Sequence, residues 1–171
     1  MNQAQGAIDA AKSAGAEQYA KDEYQAAIGA FEKSRTAVTQ RDYRQALNYA
    51  IDARDRARDS ARAAADRRAQ ARSDAERLLE VVTTLVARAD TQLKAADAAR
   101  VPRTQPANLP EALAGVREQL QESRGMLERQ EYLAAGTALR AQEAEIRKIL
   151  DELTAAVEAQ RPRRPVRRAP R

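Results

Sequence analysis

The sequence predicts an all-α protein: elongated helical hairpins joined by one long coiled-coil-like helix, followed by a disordered basic C-terminal tail. Three observations carry this expectation. First, Ala, Glu, Lys, Leu and Arg supply 97 of the 171 residues, the composition of long paired helices. Second, residues 1–101 contain no proline, so nothing in that stretch forces a helix to break. Third, apolar residues recur at spacings of three and four, or seven, along most of the chain. Leu, Ile, Val and Phe make up only 27 of 171 residues against 40 Ala, which argues against a thick globular core.

The elements follow in order. A first helix is expected from about Gln3 to Ala14, with Ile8 and Ala11 on one face and Gly15 as its C-terminal glycine. A turn through Gln18 and Tyr19 leads to a second helix, Lys21 to Val38. Tyr24, Ala27, Ile28, Phe31 and Val38 form its apolar stripe, and Asp22 and Glu23 face the positive end of its dipole. After the short link Thr39-Gln40-Arg41, Asp42 is a good N-cap for a third helix, so helices two and three should form an antiparallel hairpin.

The third helix is expected to run from Asp42 to Arg100. Two heptad series, 43-50-57-64-71-78-85-92 and 47-54-61-68-75-82-89-96, carry 13 apolar residues in 16 positions. A helix of that length would span roughly 88 Å. Its seam holds Tyr43, Leu47 and Ile51 at one end and Leu78, Val82, Leu85 and Val86 at the other. Only Ala lies between, which suggests a solvated waist laced by pairs such as Asp52–Arg56 and Arg72–Glu76. Pro102, Pro106 and Pro110 then break the chain, with Asn108 placed to cap a fourth helix carrying Leu109, Leu113, Val116, Leu120 and Leu127. A fifth carries Tyr132, Ala135, Leu139, Ile146, Leu150, Leu153 and Val157 and ends near Gln160. The implied organisation is a first hairpin unit over 1–75, a second over 76–160 sharing the long helix 42–100, and a tail over 161–171.

An offset of 89 superposes the halves: Tyr24 on Leu113, Phe31 on Leu120, Ser34-Arg35 on Ser123-Arg124, Val38 on Leu127, Asp42-Tyr43 on Glu131-Tyr132, and Ala46 on Ala135. The hairpin is therefore used twice. Its first copy, with Ala14-Gly15-Ala16-Glu17-Gln18-Tyr19-Ala20, Tyr24, Ala27 and Asp42-Tyr43-Arg44-Gln45-Ala46, resembles a short alanine-rich domain of unknown function. That family occurs in envelope proteins and lipoproteins of Gram-negative bacteria. The resemblance covers about residues 4–75, with a decayed copy at 90–150. Lys21 stands where the family has proline, which Pro110 supplies in the second copy, and the family's lipidated cysteine is missing. The hairpins are also loosely similar to tetratricopeptide units. The family resemblance implies a periplasmic or outer-membrane-face location, a cytoplasmic one being the alternative, and it implies no chemistry.

Charge narrows the function classes. The chain has 30 basic and 25 acidic residues, yet the tail alone holds Arg161, Arg163, Arg164, Arg167, Arg168 and Arg171 and no acid. Subtracting those six from 30 leaves 24 basic against 25 acidic side chains. Six guanidiniums on a proline-stiffened strand suit a polyanion such as nucleic acid, anionic lipid or wall polymer, without base stacking. With no His and no Cys, neither an imidazole base nor a thiolate nor a His/Cys metal site is available. The sequence thus leads to no catalytic residues, no cofactor, no metal and no small-molecule substrate. Tyr19, Tyr24, Phe31, Tyr43 and Tyr49 read as hairpin core in preference to an aromatic cage. No run of 18 apolar residues predicts a transmembrane segment, and the N-terminus has no secretory signal pattern. The expected function is a non-enzymatic spacer or interaction scaffold that binds another helical protein or itself, with polyanion binding through the tail as the alternative.

Overall fold

The computed structural model describes residues 1–98 and 108–159. Their regular elements are α-helices throughout: α1 (Asn2–Ser13), α2 (Ala16–Tyr19), α3 (Lys21–Thr39), α4 (Tyr43–Ala98), α5 (Leu109–Glu128) and α6 (Tyr132–Ala159). None is long and apolar enough to cross a membrane. The long helix is unbroken over 56 residues; Ala99 and Arg100 of its expected span, and the tail arginines, lie outside the described residues. The chain divides into two compact units, Met1–Ala71 and Arg72–Arg171, so α4 belongs to both.

In the first unit α1 ends where Gly15 takes φ 85°, a left-handed conformation that glycine adopts without strain. Its N–H donates to Lys12 O at 2.9 Å, and the chain restarts at once, Gln18 N and Tyr19 N donating to Gly15 O at 3.0 Å. The expected turn through Gln18 and Tyr19 is thus a single helical turn, α2. A helix of four residues has no periodicity for a sequence to display. Asp42 caps α4 as expected, its Oδ1 accepting from Gln45 N at 2.9 Å.

The core of this unit joins Ile8, Ala11, Tyr19 and Tyr24 from α1–α3 to Ala57 and Ala64 of α4, and Ala4 to Ala30, Ala50 and Ala53. The first part of the alanine section of α4 is therefore not a solvated waist: Ala57, Ser60 and Ala64 are fully buried, whereas no residue from 65 to 74 is. Small side chains let α1 and α3 approach the α4 backbone closely, so a stretch that offers little apolar bulk is nonetheless buried as far as Ala64. The end expected in the seam is the exposed one. Tyr43, Leu47 and Ile51 retain 67%, 60% and 42% of their surface.

In the second unit the α4 section from Arg72 onwards packs Ala75, Val82, Val86 and Ala89 against Leu113 and Val116 of α5 and Leu139 and Ile146 of α6. The guanidinium of Arg117 on α5 pairs with Asp90 on α4. Gln142 Nε2 donates to Ser123 Oγ at 2.9 Å inside the α5–α6 hairpin. Asn108 occupies the N-cap position of α5, but its side chain makes no capping bond.

Two heptad series cannot both stay buried along a helix of 3.6 residues per turn, because each heptad step drifts about 20°. The buried positions of α4 are 46, 50, 53, 57, 60 and 64, then 75, 82, 86, 89 and 96. The series from Tyr43 is buried at Ala50, Ala57 and Ala64 and only half-buried from Ala71 onwards; the series from Leu47 becomes buried at Ala75. The register changes through the eleven-residue step from Ala64 to Ala75, which contains the division between the units.

The duplication extends to burial. Ala20/Leu109, Tyr24/Leu113, Ala27/Val116, Ser34/Ser123, Ala46/Ala135, Ala50/Leu139, Ala53/Gln142, Ala57/Ile146, Ser60/Ile149 and Ala64/Leu153 are buried in both copies. The turns match as well. Arg41 and Gln130 sit at φ 61° and 63°. Arg41 N bonds to Val38 O and Asp42 N to Ala37 O, while Gln130 N bonds to Leu127 O and Glu131 N to Met126 O. These are two Schellman closures of the same form.

Candidate interaction surface

α3 and α4 meet at a hairpin tip whose outer face is apolar. Val38 lies in the last turn of α3; Tyr43, Leu47 and Ile51 follow on α4 at steps of four, which stack side chains along one helix face. Ala46, Ala50 and Ala53 are the α4 positions turned into the core. At about 100° per residue, the Tyr43–Leu47–Ile51 stripe lies roughly 60–140° around the helix from Ala46 and so flanks the buried line. Six large apolar side chains stand out as exposed among the described residues, and four of them are at this tip. The stripe is therefore a localised patch and not scattered surface.

Arg35, Arg41 and Arg44 surround it, all exposed. None has an ion pair among the described residues, whereas Arg54 and Arg58 further along α4 converge on Asp55 at 2.9 and 4.0 Å. The Asp42 carboxylate is engaged with the α4 N-terminus. The tip thus combines an apolar stripe with three uncompensated guanidiniums.

Three of the four equivalent positions in the second copy are wholly or partly covered; Arg140, opposite Ile51, is exposed. Tyr132, opposite Tyr43, is 9% exposed, and Gly136, opposite Leu47, is buried. Leu127, opposite Val38, is half-buried and, like Leu78 and Leu79 of α4, packs against a core that includes Ala75 and Val82. Arg72 is close enough to Tyr132 for the two to interact electrostatically. In the first unit α1 begins beside Ser34, whose Oγ lies 3.0 Å from Met1 Sδ. Among the described residues, nothing buries Val38, Tyr43, Leu47 and Ile51.

The sequence expectations at other positions resolve as follows. Tyr19 and Tyr24 are core, Phe31 packs beside them half-buried, and Tyr43 stands apart on the surface, so the aromatics form no cage. Tyr49 lines an open groove of ≈ 460 Å³ with Gly29, Glu32, Lys33, Thr36 and Gln45. Several helix-surface carboxylates are paired with arginines: Glu76 with Arg72 at 2.7 Å, Asp74 with Arg77 at 2.8 Å, and Glu143 with Arg147 at 2.7 Å. No group of three or more potential metal ligands occurs among the described residues. The six arginines expected to hold a polyanion are outside the described residues.

Sequence reasoning placed Tyr43 and Leu47 in the seam and so missed this surface. The signal was present in the duplication: Leu139 stands opposite Ala50 and Gly136 opposite Leu47. The second copy thus marks position 50 as the core position and 47 as its flank. A search of protein-family models, curated proteins and solved structures finds no match to this chain.

Proposed function

We propose that the chain is a non-enzymatic helical interaction scaffold whose partner is another protein, working in the bacterial cell envelope. The envelope placement follows from the resemblance of residues 4–75 to the alanine-rich domain. The observation that carries the scaffold reading is the exposed apolar stripe of the first hairpin, set on a helix that two packed units share. Apolar side chains held on a rigid element are what a protein partner buries first. The paired carboxylates and the absence of His and Cys from the chain agree with a role without acid–base chemistry.

A photo-crosslinking residue placed in turn at exposed positions of each helix tests this in cells. Discrete protein adducts from at least one face are expected; a chain yielding none from any face is not a scaffold. The second reading, polyanion binding, rests on the six arginines of 161–171. Removing that segment should abolish binding of duplex DNA or anionic vesicles at low salt, and unchanged binding refutes it.

A further inference from the structure

We propose that the tip of the α3–α4 hairpin is a docking surface for an acidic amphipathic helix of another protein, with Val38, Tyr43, Leu47 and Ile51 as the apolar floor and Arg35, Arg41 and Arg44 as the charged rim. This deepens the scaffold reading and rests on it. The duplicated hairpin shows what kind of element fits. At the equivalent positions of the second copy, Tyr132 and Leu127 are sheltered beside a helix, the α4 section carrying Ala75, Leu78, Leu79 and Val82 at helical spacing. The first copy presents the same turn, closed by the same hydrogen bonds, and among the described residues its apolar stripe stays exposed.

The charge specifies the partner further. Arg41 stands opposite Gln130 and Arg44 opposite Leu133, so two of the three rim cations belong to the first copy alone. They have no carboxylate among the described residues, and carboxylates flanking the apolar stripe of an incoming helix would supply one. A second copy of this chain is a poorer occupant. A two-fold contact centred on Leu47 would bring two sets of these arginines together, and like charges facing each other across an interface oppose association. Four exposed side chains make a small floor, below the roughly 800 Å² per partner of a standard stable interface, so the contact is reversible.

The test uses the full chain and two synthetic helical peptides of residues 72–98, the section that covers the second hairpin. In one peptide Arg72, Arg77 and Arg88 are changed to Glu; in the other Asp74, Glu76 and Glu80 are changed to Lys. Fluorescence anisotropy should show the acidic peptide binding about tenfold or more tightly than the basic one, with affinity falling as salt rises. Leu47→Glu should weaken the acidic peptide by about tenfold or more, and Arg41→Glu with Arg44→Glu by several-fold. Leu47 is exposed, so its replacement leaves the fold intact by circular dichroism; Tyr43→Ala is the second variant. Equal binding of the two peptides, or binding indifferent to Leu47→Glu and Tyr43→Ala, overturns the proposal. A concentration-dependent dimer in sedimentation that Leu47→Glu dissolves also overturns it, in favour of a second copy. Crosslinked adducts from other faces together with a failed peptide would remove this surface and leave the scaffold reading standing.

Discussion

Arg67 connects three elements of the first unit through one guanidinium. Its Nη1 donates to Tyr19 O at 3.0 Å and to Glu23 Oε2 at 3.1 Å, while Nη2 donates to Glu23 Oε1. That hydrogen-bonded pairing, helped by the backbone N–H of Glu23 itself, holds the Glu23 carboxyl below the usual carboxylate range. A carboxyl with a lowered folded pKa releases its proton more readily in the folded state. It therefore adds stability that is complete above the ordinary Glu value of about 4.3 and is lost as pH falls towards the folded value. For Arg67→Gln we expect the Glu23 titration to move upward in an NMR pH series, and the dependence of stability on pH to flatten below about pH 5. An unmoved Glu23 titration would show that the ion pair is not what lowers it. At the same scale, the difference between Leu47 and Ala50 is not legible from those two residues themselves, only from their counterparts Gly136 and Leu139 in the second copy. A large aliphatic residue is ordinarily the buried one, and here methyl groups are buried because the neighbouring backbones come close.

Among the elements, the hairpin boundaries were legible because their chemistry is local. The Asp42 cap, the run without proline before α5 and the prolines ahead of it needed no tertiary information. The one-turn α2 was not legible, since it follows from the conformation of Gly15 and not from a pattern of side chains. A Cβ added at Gly15 would sit 3.3 Å from Tyr19 Cδ2, on a backbone at φ 85° that side chains disfavour. Gly15→Ala should therefore cost about 1–2 kcal/mol of stability in urea unfolding. A neutral result would mean that the α1–α2 corner rearranges freely. The left-handed Arg41 and Gln130 show the opposite case, in which a turn keeps its shape without glycine because both closing hydrogen bonds are made.

At the scale of the whole molecule, one hairpin pattern is executed in two materials. The first unit buries mainly alanine at positions where the second buries Leu113, Leu139, Ile146, Ile149 and Leu153. Each fully buried large aliphatic side chain contributes about 1.5–3 kcal/mol more than leaving it exposed, so the second unit holds the larger share of hydrophobic stabilisation. Hydrogen exchange should accordingly release the amides of α1 and α3 before those of α5 and α6; simultaneous exchange would mean that the two unfold together. The fold class and the repeat were readable from composition and spacing. The phase of the long helix was not, because a 3.5-residue register and a 3.6-residue helix agree over a few turns and part company over 56 residues. The surface arrangement also equips the chain with a reporter of its own. It contains five tyrosines and no tryptophan, and Tyr19, Tyr24 and Tyr132 are shielded while Tyr43 stands in water. A colourless ligand that settles on the apolar tip will change the ultraviolet emission chiefly through Tyr43, and excitation at the red edge will light up only a tryptophan brought in by a guest.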